Sequence, residues 1–260
     1  MIISVTSPDG PRLEFPPGHV IYQQKAGWFG HPRFSPDGSM IAFENHSIAG
    51  NDDGQVDLLD ANGKHSVIFK SSSVEGLAWS PDGKELWFAA TQTGGWAEQG
   101  GWNAYRQMVA SGAPILLMAN VWDSYPALSP DGELAALRKQ HDGIYLCSGN
   151  GSQPVKLKAA SDDEFPIRFA DGGKSLLVAD PTGRELVVTL INLASGRRQL
   201  WKRFDSGTRA DQTFVATPDL KYYAYPFPRY SSVLYTVENF TKGTVGQSQG
   251  VGSHPCILSG

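Results

Sequence analysis

Cysteine is nearly absent from this 260-residue chain, which has two, Cys147 and Cys256. Two thiols cannot build a disulfide framework or a cysteine metal cluster, so burial of apolar surface must hold the fold. Charge is also sparse at 18%, with 22 basic against 26 acidic residues and a net charge of −4. That balance excludes the basic stripe on which nucleic-acid binding depends. Long apolar runs are missing too. The longest, Ile115 to Trp122, falls well short of the roughly 18 residues of a membrane span. Met1 to Val5 is short, lacks a basic flank and meets Ser7-Pro8-Asp9-Gly10 at once, so neither a signal peptide nor membrane insertion is expected. As written, the chain reads as cytoplasmic. No long segment keeps the 3.6-residue apolar period of a helix. What the chain does contain is 40% hydrophobic residues, 29 Gly and 17 Pro, the composition of a folded, turn-rich protein.

Those turns recur. Phe34-Ser35-Pro36-Asp37-Gly38 precedes Met40-Ile41-Ala42-Phe43, and Trp79-Ser80-Pro81-Asp82-Gly83 precedes Glu85-Leu86-Trp87-Phe88. Leu128-Ser129-Pro130-Asp131-Gly132 precedes Leu134-Ala135-Ala136-Leu137. Two degenerate copies follow, Phe169-Ala170-Asp171-Gly172-Gly173 and Ala216-Thr217-Pro218-Asp219-Leu220. The copies begin at Ser35, Ser80, Ser129, Ala170 and Thr217, a mean spacing of about 45 residues and the period of a four-stranded propeller blade. Within each, proline presets φ, aspartate bonds the backbone ahead and glycine takes a positive φ. Further strands fill out each unit, as in Val56-Asp57-Leu58-Leu59 and Ser66-Val67-Ile68-Phe69.

The expected fold is therefore an all-β propeller of four-stranded antiparallel blades. Residues 1–240 form one domain, and the Gly- and Ser-rich residues 241–260 form a weakly ordered tail. Five motif copies favour five blades. The N-terminal segment, with Leu13-Glu14-Phe15 and Val20-Ile21-Tyr22, supplies the strand that closes the ring; six blades result if it builds a partial blade instead.

The motif Ser-Pro-Asp-Gly-x-x-Ile/Leu-Ala-Phe resembles the WD40-like repeat of TolB-type propellers. Three stretches are similar to the propeller region that follows bacterial eukaryotic-type serine/threonine kinases. They run from Gly27-Trp28 to Phe43, from Phe165-Pro166-Ile167-Arg168-Phe169 to Trp201-Lys202, and from Lys221-Tyr222-Tyr223 to Val237-Glu238. That resemblance implies a sensory or protein-interaction module, extracytoplasmic if the chain is a piece of a membrane kinase. The kinase motifs themselves are absent.

The Ser-Pro-Asp-Gly turns join first and second strands, so their repeated acid and hydroxyl are assigned to turn formation. Asp37→Ala, Asp82→Ala and Asp131→Ala are expected to lower stability without touching binding. Function is expected at the opposite end of the blades, in the inter-blade connections. These carry Trp28, His31, Glu75, Trp122, Asp123, Tyr125, Asp163 and Asp211, an acidic and aromatic set suited to a basic or extended peptide. Trp122 is the expected hot spot, lost with little change in melting temperature. The expected partner is a protein or peptide, bound by a monomer.

Hydrolase and phosphate-loop motifs are missing. No catalytic residue, resident metal or cofactor is expected, and the chain is read as a non-enzyme. The alternative is a propeller hydrolase or lactonase with a metal in the central channel, where His31 and His46 would join Asp52, Asp53 or Asp123. Such an enzyme should line its channel with convergent His, Asp or Glu; a binding module should line it with aromatics and mixed charge. Cys147, inside a strand, is expected to be buried and inert.

Overall fold

The computed structural model describes residues 2–48, 53–91, 101–110, 112–122, 126–139, 141–183, 185–205 and 214–224. The chain is built of antiparallel sheets taken in sequence order. The first has three strands, β1 (Ile3–Ser7), β2 (Gly10–Glu14) and β3 (Val20–Gln23). Four four-stranded blades follow. Blade one contains β4 (Trp28–Phe34), β5 (Met40–His46), β6 (Gly54–Asp60) and β7 (His65–Ser71). Blade two contains β8 (Ser73–Trp79), β9 (Glu85–Thr91), β10 (Trp102–Met108) and β11 (Ile115–Val121). Blade three contains β12 (Ala127–Leu128), β13 (Leu134–Lys139), β14 (Gly143–Ser148) and β15 (Val155–Lys156). Blade four contains β16 (Phe165–Ala170), β17 (Ser175–Asp180), β18 (Glu185–Asn192) and β19 (Arg198–Asp205). A pair, β20 (Val215–Ala216) and β21 (Tyr223–Ala224), carries the fifth motif copy. Among the described residues the sole helix is one 3₁₀ turn, Asp171–Gly173, and no helix is long and apolar enough to cross a membrane.

Each motif turn joins a first strand to a second, as its chemistry demands. Ser35 Oγ donates to Asp37 Oδ1 (2.6 Å) and accepts from the Met40 N–H (2.9 Å), while Asp37 Oδ1 also accepts the Ser39 N–H (3.0 Å). Ser80 and Asp82 repeat this at 2.7 and 2.9 Å, as do Ser129 with Asp131 and Thr217 with Asp219. These bonds hold Asp37, Asp82, Asp131 and Asp219 below the usual carboxylate range, the hydroxyl bond being the main cause. The repeated acid is consumed by the turn.

Successive sheets bury their faces against each other, and strand alternation decides which residue serves which interface. On β9, Leu86, Phe88 and Ala90 pack with Ala42, Val56 and Leu58 of blade one, while Trp87 and Ala89 pack with Ala135 and Leu137 of blade three. On β17, Leu176 and Val178 face blade three, and Leu177 and Ala179 face Phe214 beside β20. Apolar runs buried on both faces are the reason these strands read as continuous hydrophobic segments rather than alternating ones. Cys147 belongs to the core between blades two and three, and burial pushes its thiol up to about 12.

The N-terminal segment forms a sheet of its own, as in the alternative of a partial blade. Pro8-Asp9 folds Ile3–Ser7 back onto Gly10–Glu14, so a whole three-stranded sheet forms and packs Leu13, Ile21 and Tyr22 on Phe29 and Phe43 of blade one. The tail, residues 241–260, lies outside the described residues.

Candidate functional site

Strand parity also places the polar residues. On β5, Ile41 and Phe43 face the N-terminal sheet and Ala42 faces blade two. Glu44 and His46 continue the Ala42 row, and both are 0% exposed. They sit at the end of blade one opposite its Ser-Pro-Asp-Gly turn.

Two β-bulges bring partners to them. In β4 the pairing with β5 shifts between Gly30 and Arg33, and His31 within the bulge has φ +47. In β8 the pairing with β9 shifts between Glu75 and Leu77. Bulges re-aim side chains, and here they turn His31 and Glu75 toward Glu44. His31 Nδ1 lies 2.7 Å from Glu44 Oε2 and 3.9 Å from Glu75 Oε1. His46 Nε2 lies 3.6 Å from the same Glu44 Oε2. One donor atom from each of His31, Glu44 and Glu75 falls within 4.8 Å of the others. The close approach depends on glycine: a Cβ on Gly30 would stand 2.3 Å from Glu44 Oε2. The indole of Trp28 stacks on the His46 ring at 3.8 Å and 4°.

The electrostatics follow from this packing. Burial pushes the Glu44 carboxyl up, but His31 and His46 outweigh it and hold the group below its ordinary range. Burial likewise pushes His31 down, and the carboxylates of Glu44 and Glu75 outweigh that, holding it above its ordinary value. The cluster combines imidazole and carboxylate donors, and can hold a proton between His31 and Glu44 or accept a cation.

Of the residues expected at this end, the structure brings together Trp28, His31 and Glu75. The Asp53 carbonyl accepts from His46 Nδ1 (3.2 Å). Trp122 is half-buried against the core between blades two and three, with Trp102 edge-on at 6.0 Å. Asp163 stands apart in an exposed pair with His141 (3.0 Å). Asp52, Asp123, Tyr125 and Asp211 lie outside the described residues.

Glu44 was not anticipated. Its signal was the polar run Glu44-Asn45-His46 ending a strand that is otherwise apolar, where blades two and four have Ala89 and Ala179.

A second feature is a cavity of about 330 Å³ between the innermost strands, lined by Arg33, Phe34, Trp79, Ile167, Arg168 and Phe214 among others. Residues of β4, β8, β12, β16 and β20 all contribute to it. No histidine or carboxylate is among its described lining residues. Trp79 Nε1 donates across it to the Arg33 carbonyl (3.0 Å), and Arg168 donates to the Ala216 carbonyl.

No family model and no curated protein matches the chain. Solved structures do. TolB from Acinetobacter baumannii aligns with a TM-score of 0.66 at 16% identity, over 92% of this chain and 58% of that one. The nidogen/laminin complex contains a chain that aligns at 0.57 and 14% identity, over 80% of this chain and 78% of that one. Kuenenia stuttgartiensis hydrazine synthase aligns at 0.55 and 21% identity, over 86% and 60%. The fold is that of a TolB-like β-propeller, and the chain spans less than two thirds of that TolB.

Proposed function

We propose that the chain is a non-catalytic propeller module that binds a protein or peptide segment at the cavity between its innermost strands. The observation that carries this reading is the lining of that cavity, where Arg33 and Arg168 stand among Phe34, Trp79 and Phe214 without a carboxylate or imidazole among the described residues. Arginine and aromatic side chains are the groups enriched at interface hot spots. The like fold of a chain in the nidogen/laminin complex adds support. Of the carboxylates expected to attract a basic peptide, the two among the described residues are engaged within the protein, Glu75 near His31 and Asp163 with His141. The guanidinium groups instead suit an extended segment carrying a carboxylate, which arginine binds in bidentate fashion. A role as the sensory part of a larger signalling protein belongs to the same proposal.

Selection of a displayed random peptide library on the immobilised chain tests this. Enriched sequences should combine Asp or Glu with an aromatic residue, and Arg168→Ala should lose them while melting remains cooperative. Enrichment of basic sequences, or retention by Arg168→Ala, would contradict the reading.

The enzyme alternative rests on one observation, the convergence of His31, Glu44 and Glu75. Those residues lie outside the cavity lining, so the binding reading is preferred.

A further inference from the structure

The geometry points to a divalent transition-metal site, best fitted by Zn²⁺, formed by His31, Glu44 and Glu75 between blades one and two. Three independent features carry it. The first is donor spacing. Tetrahedral Zn²⁺ with bonds of about 2.0–2.2 Å sets its ligand atoms roughly 3.3–3.6 Å apart. His31 Nδ1 to Glu75 Oε1 is 3.9 Å, and one donor atom from each of His31, Glu44 and Glu75 lies within 4.8 Å of the others. The shorter 2.7 Å pair, His31 Nδ1 and Glu44 Oε2, is a hydrogen bond that opens by less than 1 Å to admit the ion.

The second feature is Glu44 itself. Its side chain is 0% exposed, yet among the described residues its Oε1 has no hydrogen-bond partner. Buried polar atoms normally have one, and a cation beside Glu44 supplies it.

The third feature is the space kept for the carboxylate, which the missing Cβ of Gly30 creates. The donor set mixes one imidazole with two carboxylates. Imidazole favours Zn²⁺ over Mg²⁺ and Ca²⁺, which prefer oxygen-only sites. Three protein donors leave the fourth position of a tetrahedral site open. The ion therefore clamps blade one, through β4 and β5, to blade two, through β8.

Isothermal titration of the untagged, chelator-treated full chain with Zn²⁺ and with Ca²⁺ tests this, alongside thermal melts. The expected result is one Zn²⁺ per chain, at least about tenfold weaker in Glu75→Gln and in His31→Asn. A melting temperature raised by on the order of 5 °C or more at a hundredfold excess of Zn²⁺ over its Kd should accompany binding. Glu75 and His31 are the chosen positions because neither is fully buried, and asparagine suits the positive φ at residue 31. Absence of Zn²⁺ binding, Zn²⁺ binding unchanged in both variants, or Ca²⁺ binding as tight as Zn²⁺ would each overturn the site.

Discussion

Blades one and four use the same repeat position in opposite ways. The residue four beyond the start of the second strand is Glu44 in β5 and Ala179 in β17, and both are 0% exposed. Ala179 packs with Leu177, Leu186 and Phe214. Glu44 meets His31, His46 and Glu75. Blade four fills this position with a small apolar group that seals one sheet against the next, whereas blade three buries Arg138 there. Blade one carries a charge there, and the means to tolerate it, two bulges, a Gly30 without Cβ and paired imidazoles, come from three different strands. A buried ionic cluster is a poor source of stability compared with apolar packing, so its presence in one blade points to a site and not to a folding requirement.

The largest effect should come from forcing the polar solution onto the apolar blade. Ala179→Glu buries a carboxylate without His31 or His46 equivalents and should cost about 4 kcal/mol or more, measured by urea unfolding. A variant near wild-type stability would mean that the partners in blade one are not what makes Glu44 tolerable.

Trp122→Ala should lower stability by about 2 kcal/mol, because a half-buried indole leaves the core between blades two and three. Sequence reading assigned Trp122 to binding with little effect on melting; an unchanged melting temperature would restore that assignment.

Ser80→Ala should cost about 1 kcal/mol, the worth of the bonds its buried hydroxyl makes to Asp82 and the Glu85 N–H. The same change at Ser35 should match it, since both blades use one turn; unequal losses would show that the turns are not independent of the polar end of blade one.

The smallest effect is a pH dependence shared by the turns. The carboxyls of Asp37, Asp82, Asp131 and Asp219 lie below their ordinary values in the folded chain, Asp37 at about 2. A depressed folded-state pKa gives stability that is present above the unfolded value, near 3.9, and is lost as pH falls through the folded one. Melting temperature should therefore drop between about pH 4 and 2, and Asp37→Asn should flatten that slope. A slope unchanged in Asp37→Asn would mean that the turn bonds carry no charge dependence.

The turns were legible in the sequence because their chemistry is local. Serine, proline, aspartate and glycine act within five residues, so each copy announces its own hairpin, and the spacing of copies announces the blades. The end of the blades carrying the inter-blade connections was legible for His31 and Glu75, which fall just inside innermost strands. Glu44 was not, because its meaning depends on which neighbour lies across the sheet face. An acid in a strand is usually solvated, and only strand parity combined with two bulges turns this one inward. Position before an inner strand likewise does not fix whether the Trp122 ring points outward or into the next blade. The N-terminal sheet was half legible, since Ile3–Ser7 is too short to stand out until Pro8-Asp9 pairs it with Gly10–Glu14.

The central claim is that the polar cluster in blade one serves a site and contributes little that the fold could not obtain from apolar residues. Its most direct test compares Glu44→Met with the triple variant His31→Asn, Glu44→Met and Glu75→Met by urea unfolding in the presence of a chelator. Removing Glu44 alone leaves His31 and His46 without their buried partner and should cost about 3 kcal/mol. Removing the charged set together should recover most of that loss, the non-additivity expected of groups in one network. A triple variant as unstable as the sum of its single changes would contradict the claim and make the cluster part of what holds blades one and two together.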